Sequence, residues 1–175
     1  MTEDGLAIQR ARAGDATAFD LLVRRHQSQL RAFLLRLTGG RHALADDLAQ
    51  DTFLLAWRKL AQFREDGSFI GWLLRIAWSR YLMEARRRKW EPLADTEAGS
   101  VDPRQGHIDR LDLEQALAQV APVERAALTL CCALGFSHPE AARILDMPLG
   151  TLKSHVLRGR EKLRMLMLER DVTHD

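Results

Sequence analysis

The 175-residue chain has few of the features that mark secreted or membrane-spanning proteins. It contains two cysteines, and these are adjacent, at Cys131 and Cys132. Because a disulfide between neighbouring residues is strained, the pair predicts free thiols in or near the core of a protein from a reducing compartment. No run of about 18 apolar residues is present, so we expect no membrane-spanning helix. The N-terminus carries acids and no apolar signal segment, which predicts a cytoplasmic protein.

Motifs for metal binding and catalysis are also missing. The six histidines are scattered, and none stands at a spacing typical of a Cys/His metal site. No glycine-rich phosphate loop follows a strand, and no serine, histidine and aspartate set indicates nucleophilic catalysis. We therefore expect no cofactor, no metal and no enzymatic activity.

Helical periodicity runs along the chain, whereas the alternating pattern of strands is absent. The N-terminal half predicts four helices, at about 3–13, 16–37, 43–60 and 69–89. The second carries an apolar stripe at i, i+3 and i+4, and Gly39 just past its end suits a left-handed cap. The C-terminal half predicts four more, at about 108–120, 122–134, 137–145 and 150–168. The fold class is therefore all-α.

The composition changes between the two halves. Residues 91–106 contain glycine and proline breaks and little apolar content, and seven acids accompany two arginines between Glu91 and Glu114. Such a segment is typical of a flexible, solvated acidic linker. The sequence predicts two small helical domains, at 1–90 and 107–175, joined by this linker.

The C-terminal half contains the pattern of a helix-turn-helix. Ser137 and Glu140 are spaced as a capping box, and Asp146-Met147-Pro148 breaks the chain before the last helix. Two helices joined by a turn of about four residues form this unit, whose second helix lies in the major groove of DNA. A basic helix end also suits the helix dipole on its own. The capped helix and turn before it favour DNA binding.

In the N-terminal half, the third helix carries an acidic surface. Asp46, Asp47, Gln50 and Asp51 lie beside apolar residues, which fits either acids at a helix start or a docking surface for a partner helix. Both interpretations remain open on the sequence alone.

The fourth helix mixes aromatic residues with cations and ends in the basic run 86–89. Exposed aromatics between cations suit stacking on unpaired bases, although a core helix with a solvated basic end has the same composition. Trp72 is expected in the core, whereas Trp78 fits either interpretation. Phe63 and Phe69 flank the loop before this helix and could frame a pocket for a flipped base.

Together these segments resemble the extracytoplasmic-function (ECF) subgroup of bacterial sigma factors. Residues 46–58 resemble the helix of conserved region two, 69–77 the segment that follows it, and 150–164 the recognition helix of region four. The three motifs stand in the family's order, and the match covers nearly the whole chain outside the linker. The chain departs from the family's usual residues at Trp78-Ser79 and at Met83.

The resemblance implies a factor that binds core RNA polymerase and directs promoter-specific initiation. It assigns binding of the polymerase clamp helices to Asp47, Gln50, Asp51, Phe53 and Trp57. It assigns recognition and opening of the minus-ten element to Phe63, Phe69, Arg75, Trp78, Ser79, Arg86 and Arg87. It assigns the minus-thirty-five element to Thr151, Lys153, Ser154, Leu157, Arg158 and Arg160. It further implies a linker that threads toward the polymerase active-site channel, and an anti-sigma protein that covers both domains.

Two other functions explain parts of the sequence. A plain helix-turn-helix transcriptional regulator accounts for the C-terminal domain but leaves the acidic third helix and the aromatic fourth helix without a role. A sigma-like adaptor that only sequesters an anti-sigma protein should lack base-reading residues, whereas Lys153 and Arg158 are present. Only a sigma factor would give promoter-specific initiation when mixed with core polymerase.

Overall fold

The computed structural model describes the backbone of residues 3–64, 67–90 and 108–173, and the predicted linker, 91–106, lies outside these ranges. Over the described ranges every regular element is a helix, which confirms the all-α prediction. The helices are α1 (Glu3–Arg12), α2 (Ala16–Leu37), α3 (His42–Lys59), α4 (Phe69–Trp90), α5 (Ile108–Ala118), α6 (Pro122–Leu128), α7 (His138–Ile144) and α8 (Leu149–Thr173). A 3-10 turn, Leu60–Gln62, follows α3, and a π turn, Thr129–Ala133, follows α6. None of these helices is long and apolar enough to span a lipid bilayer.

Local sequence signals set both ends of α2. The Asp15 carboxylate accepts hydrogen bonds from the backbone N–H groups of Thr17 and Ala18, at 2.9 and 3.2 Å. Hydrogen bonds, chiefly from the Thr17 side chain, lower the pKa of Asp15 to about 2. At the other end, Gly39 and Gly40 have φ of +66° and +85°, the left-handed conformation that glycine adopts without strain. The helix therefore starts and stops at the predicted residues.

The N-terminal core forms around the apolar stripe of α2, which packs against α1, α3 and α4. Fully buried side chains of this stripe are Leu22, Leu30, Phe33 and Leu34. Burying a leucine or phenylalanine stabilises the fold by roughly 1.5–3 kcal/mol relative to leaving it exposed. Trp72, which was expected in the core, is half-buried and packs against the edge of this core, with its ring centroid 5.2 Å from that of Phe63.

The C-terminal half packs α8 against α6, α5 and α7. Leu152, Val156 and Leu166 of α8 are buried, as the apolar spacing predicts. The predicted helix 122–134 changes character within its length, because the α-helical bonding ends at Leu128 and a π turn follows. This turn contains the two cysteines.

The prediction that both cysteines are core or near-core thiols is wrong for Cys132. Both thiols are free, but Cys131 is half-buried and Cys132 is exposed. The two cysteines lie in the π turn, where the α-helical spacing assumed for 122–134 no longer sets which side chains face the core. The Nη2 atom of Arg160 lies 3.5 Å from the Cys132 Sγ atom on this outer side.

The two helical groups pack on each other, with α2 against α5 and α6 and with α4 against α7. Arg125 of α6 is buried at this junction, near Tyr81 of α4. Its Nη1 atom donates to the carbonyl of Ala118 at 3.4 Å and lies 3.5 Å from the place a Cβ would take at Gly39. Burial lowers the pKa of Arg125. The contact brings together residues that are far apart in the chain.

Candidate polymerase and nucleic-acid interfaces

The helix-turn-helix is built as the sequence predicts. The N–H of Ser137 donates to the Glu140 Oε2 atom at 2.9 Å, and the Ser137 Oγ atom accepts from the N–H of Glu140 at 3.4 Å. The Ser137 hydroxyl also donates to the Glu140 Oε2 atom, at 2.6 Å. This bond, followed by that from the Ser137 backbone N–H, lowers the pKa of Glu140. Helix α7 begins directly after Ser137, and the chain then turns at Asp146, which has φ of +54°. Helix α8 starts three residues later, at Leu149.

The first half of α8 turns one side to the core and the other to solvent. Leu152 and Val156 hold the inner side. All six residues predicted to face DNA are exposed: Thr151, Lys153, Ser154, Leu157, Arg158 and Arg160. Leu157 is 60% exposed between cations, an apolar group of the kind that contacts the methyl of thymine. The surface therefore combines hydrogen-bond donors with one apolar contact.

Arg158 is held by two neighbours that the sequence did not single out. Its Nε atom donates to the Glu124 Oε1 atom at 3.0 Å, and its Nη2 atom lies 2.9 Å from the His155 Nδ1 atom. Since arginine has only donors, His155 accepts here and carries its proton on Nε2. Glu124 belongs to α6, so only the packing of α6 on α8 reveals this pairing.

The acidic face of α3 is open to solvent in part. Asp47 and Gln50 are exposed, and Trp57 is 37% exposed with its ring edge against Phe19 at 4.9 Å between centroids. Leu54 lies on the same face and is 56% exposed. The site prediction omitted Leu54, although its i+4 spacing from Gln50 would have included it.

Asp51 and Phe53 are half-buried and lie to the side of this open face. The Asp51 carboxylate forms an ion pair with Arg80 of α4. Phe53 packs against the hydrophobic core. Two of the five predicted polymerase-binding residues are thus engaged within the domain.

The aromatic residues predicted to meet the minus-ten element are buried. Phe63, Phe69 and Trp78 are 5%, 2% and 6% exposed. The Phe63 and Phe69 rings meet edge to face at 5.7 Å, and Trp78 stacks on Tyr81 at 5.7 Å. Their contact with bases stays a prediction, and in this conformation it requires the rings to become accessible.

Arg12 of α1 binds the backbone just after the end of α3, next to this aromatic group. Its guanidinium donates to the carbonyl oxygens of Leu60 and Phe63 and lies over the Phe63 ring, 6.0 Å from the centroid. A long-range contact of this kind has no local sequence signal. It ties the N-terminal helix to the start of the loop between α3 and α4.

The polar residues predicted for the minus-ten element are exposed on α4: Arg75, Ser79, Arg86 and Arg87. The Arg75 Nη2 atom lies 3.1 Å from the Asp146 Oδ1 atom, so this arginine is paired with the turn of the helix-turn-helix. Glu84 accepts from Arg87 and Arg88, each at 2.8 Å. Hydrogen bonding from Arg87, followed by Arg88, lowers the pKa of Glu84 to about 2.

No group of three or more His, Cys, Asp or Glu side chains in the described part of the chain is arranged to hold a metal ion. The exposed groups described above are cations and other hydrogen-bond donors on α4 and α8, and acidic and apolar side chains on α3.

Comparison with known proteins agrees with this geometry. Residues 22–91 match the family model of sigma-70 region 2, and residues 110–163 match that of sigma-70 region 4. The pair of regions defines a sigma-70-type protein. The ECF RNA polymerase sigma factor SigM of Mycobacterium tuberculosis is 37% identical over 157 residues, which are 89% of this chain and 80% of SigM. The chain belongs to the ECF sigma factors, which confirms the resemblance found in the sequence.

Two further similarities define the extent of the match. The ECF RNA polymerase sigma factor SigE of Mycolicibacterium smegmatis is 37% identical over 164 residues, covering 86% of this chain but only 63% of SigE. The chain thus spans less than two thirds of that relative. In a co-crystal structure, the sigma factor RpoE of Bartonella quintana, in complex with the anti-sigma factor NepR, has a TM-score of 0.75 and 32% identity, over 85% of this chain and 96% of that one.

Proposed function

We propose that this protein is an ECF sigma factor that binds core RNA polymerase and directs promoter-specific transcription initiation. The observation that carries the proposal is the first half of α8, where all six predicted DNA-facing residues are exposed. The capped helix α7 and the turn precede this segment, as in a helix-turn-helix. The same chain carries an open acidic face on α3. A plain helix-turn-helix regulator has no use for that second surface. The activity is one of binding and needs no catalytic group.

The proposed division is a domain at 1–90 for polymerase and the minus-ten element, a linker at 91–106, and a domain at 107–175 for the minus-thirty-five element. On α3, Asp47, Gln50 and Trp57 would contact the clamp helices of polymerase directly. Leu54 extends this surface with an exposed apolar side chain. Asp51 and Phe53 would support it, because the first anchors Arg80 and the second packs on the core.

On α8, Lys153, Arg158 and Arg160 would donate to base edges or phosphates of the minus-thirty-five element. Thr151 and Ser154 add hydroxyl groups near the start of the helix, where residues reach base edges. Leu157 supplies the apolar contact.

On α4, Ser79, Arg86 and Arg87 would contact the minus-ten element, because these three side chains are exposed. Arg75 would join them once it leaves Asp146. The buried rings of Phe63, Phe69 and Trp78 would frame the opened strand after the surrounding contacts loosen.

We also propose an anti-sigma protein as partner and the cytoplasm, where polymerase and promoters are found, as location. The support for the partner is that the similar sigma factor RpoE was solved in complex with the anti-sigma factor NepR.

A reconstituted transcription assay tests the proposal. Purified chain and bacterial core polymerase are incubated with fragmented genomic DNA, and start sites and footprints are mapped by sequencing. We expect start sites that depend on the chain and share upstream elements near minus ten and minus thirty-five. Footprints that need no core polymerase would instead indicate a plain regulator. Binding to neither core polymerase nor DNA would indicate the adaptor. Each of these two outcomes rejects the proposal.

A further inference from the structure

We infer that Glu124 of α6 is a positioning residue for Arg158 and thereby sets base preference in the minus-thirty-five element. The inference rests on the proposed DNA-reading role of α8. Glu124 is buried to a large extent, with 16% of its side chain exposed, whereas the Arg158 side chain is 55% exposed. The carboxylate is thus held within the packed surface of the domain, whereas the guanidinium reaches toward solvent.

The close approach of α6 and α8 makes the pairing possible. A Cβ atom at Gly159 would lie 2.9 Å from the Leu128 Cδ1 atom and 3.3 Å from the Glu124 Cβ atom. Only glycine leaves room for this contact. Because Gly159 follows Arg158 directly, the packing that it permits also brings Arg158 next to Glu124.

The location of Glu124 favours a fixed negative charge. It lies in the first turn of α6, where the helix dipole stabilises an acidic side chain. Its Oε1 atom accepts from the Arg158 Nε atom at 3.0 Å, a charge-assisted bond. The His155 Nδ1 atom holds the Nη2 atom of the same guanidinium at 2.9 Å. Two acceptors on one edge fix both the position and the plane of the group.

The donors that remain are the ones that read a base. A guanidinium has five N–H groups, and Glu124 and His155 occupy one each, which leaves three. The remaining donors include the parallel pair on Nη1 and Nη2 at the end of the group. A parallel pair of this kind matches the O6 and N7 acceptors of guanine. Holding the neighbouring Nε–Nη2 edge therefore directs this pair outward.

Fixing the guanidinium before DNA binds should raise the discrimination between bases more than the overall affinity for DNA. A free arginine side chain loses much rotamer entropy when it is ordered against a base, and a side chain that is already fixed loses less. The carboxylate of Glu124 also reduces the net positive charge at this position, which weakens attraction to phosphates of any sequence. Without Glu124, Arg158 would still bind DNA but would choose among bases less strictly.

Selection from a DNA library tests the inference. Holoenzyme is formed with each variant and incubated with duplex promoter fragments whose minus-thirty-five region is randomised, and bound DNA is sequenced. Glu124→Met keeps the length of the side chain but has no strong acceptor, whereas Glu124→Gln keeps an acceptor oxygen without the charge. Arg158→Ala, the double variant Glu124→Met with Arg158→Ala, and Asp20→Asn as a remote charge control complete the set.

We expect Arg158→Ala to lose a base preference at one or two positions, and Glu124→Met to lose at least about fivefold of the preference at the same positions. The double variant should lose no more than Arg158→Ala alone. Glu124→Gln and Asp20→Asn should keep the preference. Binding of Glu124→Met to DNA without the preferred base should be unchanged or stronger, whereas a folding defect would weaken all DNA binding.

The result that overturns the inference is a wild-type base preference in Glu124→Met, or a loss at positions that Arg158→Ala leaves unchanged. The Arg158 side-chain resonance in the free full-length chain gives an independent measurement, and it should be ordered in wild type and Glu124→Gln but averaged in Glu124→Met. An ordered resonance in Glu124→Met also overturns the inference. A wild-type holoenzyme with no base preference in this region rejects the proposed function instead.

Discussion

At the scale of single residues, Arg158 combines exposure with a fixed side chain. Glu124 and His155 contact one edge of its guanidinium, and more than half of its side chain faces solvent. An exposed arginine that is ordered in this way is a stronger candidate for base contact than a mobile cation of equal charge.

Replacing Arg158 with Ala should therefore weaken promoter binding by about 1–3 kcal/mol. Fluorescence anisotropy of a labelled promoter with holoenzyme, at fixed salt, measures the change. Arg24→Ala provides the control, because Arg24 is an exposed arginine of α2 paired only locally with Asp20. Equal affinities for wild type and Arg158→Ala would contradict contact with a base or phosphate.

Gly159 gives a second prediction at this scale. Alanine there would gain about 1 kcal/mol in helix propensity. However, its Cβ would meet Leu128 Cδ1 at 2.9 Å, and forcing an extra carbon into packed side chains costs about 1–3 kcal/mol. Leu128 is buried and cannot move aside freely. We expect Gly159→Ala to lower the free energy of unfolding, measured by urea titration.

Gly150→Ala on the same helix is the matched control for Gly159→Ala. A Cβ at Gly150 meets nothing within 4 Å, so the variant should be neutral or more stable. Equal effects of the two substitutions would show that the tight α6–α8 contact has no energetic consequence.

At the scale of elements, α3 presents an acidic and apolar face formed by Asp47, Gln50, Leu54 and Trp57. Reversing the charge with Asp47→Lys should reduce binding of core polymerase, because a cation would replace an acid at the centre of a charge-complementary contact. Asp47 is exposed, so the helix should keep its circular dichroism signal. Pull-down of core enzyme gives the measurement, with Asp20→Lys on α2 as control. Normal recovery of core would reject the assigned face.

The end of α4 provides a prediction on pH. Hydrogen bonds from Arg87 and Arg88 lower the pKa of Glu84 from its ordinary 4.5 to about 2. A carboxyl whose pKa is lower in the folded state stabilises the fold above its ordinary pKa, and this contribution is lost as the pH falls toward the folded value. Stability of the wild type should thus decrease between about pH 4.5 and 2 more steeply than that of Glu84→Gln.

Urea titrations at a series of pH values measure this difference. Glu161→Gln, which alters an exposed carboxylate of α8 and changes the net charge equally, is the control. Parallel pH profiles for wild type and Glu84→Gln would contradict a lowered pKa at Glu84.

The elements also indicate how much the sequence could predict. Ends of helices follow from local signals, since the Asp15 cap, the glycines after α2 and the Ser137 capping box act within four residues. The six exposed residues of α8 follow from helical spacing. The π turn after Leu128 has no such signal, and the exposure of Cys132 was therefore missed.

Contacts between distant elements could not be predicted for the same reason. The position of Trp78 on α4 fits both a core and a surface pattern. In the structure Trp78 stacks on Tyr81 and is buried. The acceptor of Arg158 comes from α6, and the partner of Arg75 comes from the turn before α8. These pairings depend on how separate helices pack, which no local sequence pattern encodes.

At the scale of the whole molecule, the two helical groups are in contact where Arg125 of α6 lies against Gly39 after α2, and through the pair of Arg75 with Asp146. The minus-ten and minus-thirty-five elements lie about 25 base pairs apart, or about 85 Å of B-DNA at roughly 3.4 Å per base pair. A compact chain of this length is only about 40 Å across. If α4 and α8 bind the two elements as proposed, the groups must separate before initiation.

A disulfide between the two groups tests this separation. A Cβ at Gly39, at the end of α2, would lie 3.8 Å from the Ala118 Cβ atom of α5, which is the usual Cβ–Cβ distance in a disulfide. We therefore expect Gly39→Cys with Ala118→Cys to close on oxidation, in a background with Cys131→Ser and Cys132→Ser. The positive φ at Gly39 adds a strain of order 1–3 kcal/mol, which the cross-link can offset because a disulfide typically contributes about 2–4 kcal/mol.

The oxidised variant should melt at a higher temperature than its reduced form and should give no promoter-specific initiation with core polymerase. Neither Gly39 nor Ala118 belongs to a proposed binding surface, so the reduced form, and the same variant capped with N-ethylmaleimide, should initiate normally. Loss of activity on oxidation with recovery on reduction would then result from the locked contact alone. Equal initiation by the two forms would mean that α4 and α8 reach their elements without separating, and the spacing of the two DNA contacts proposed above would be wrong.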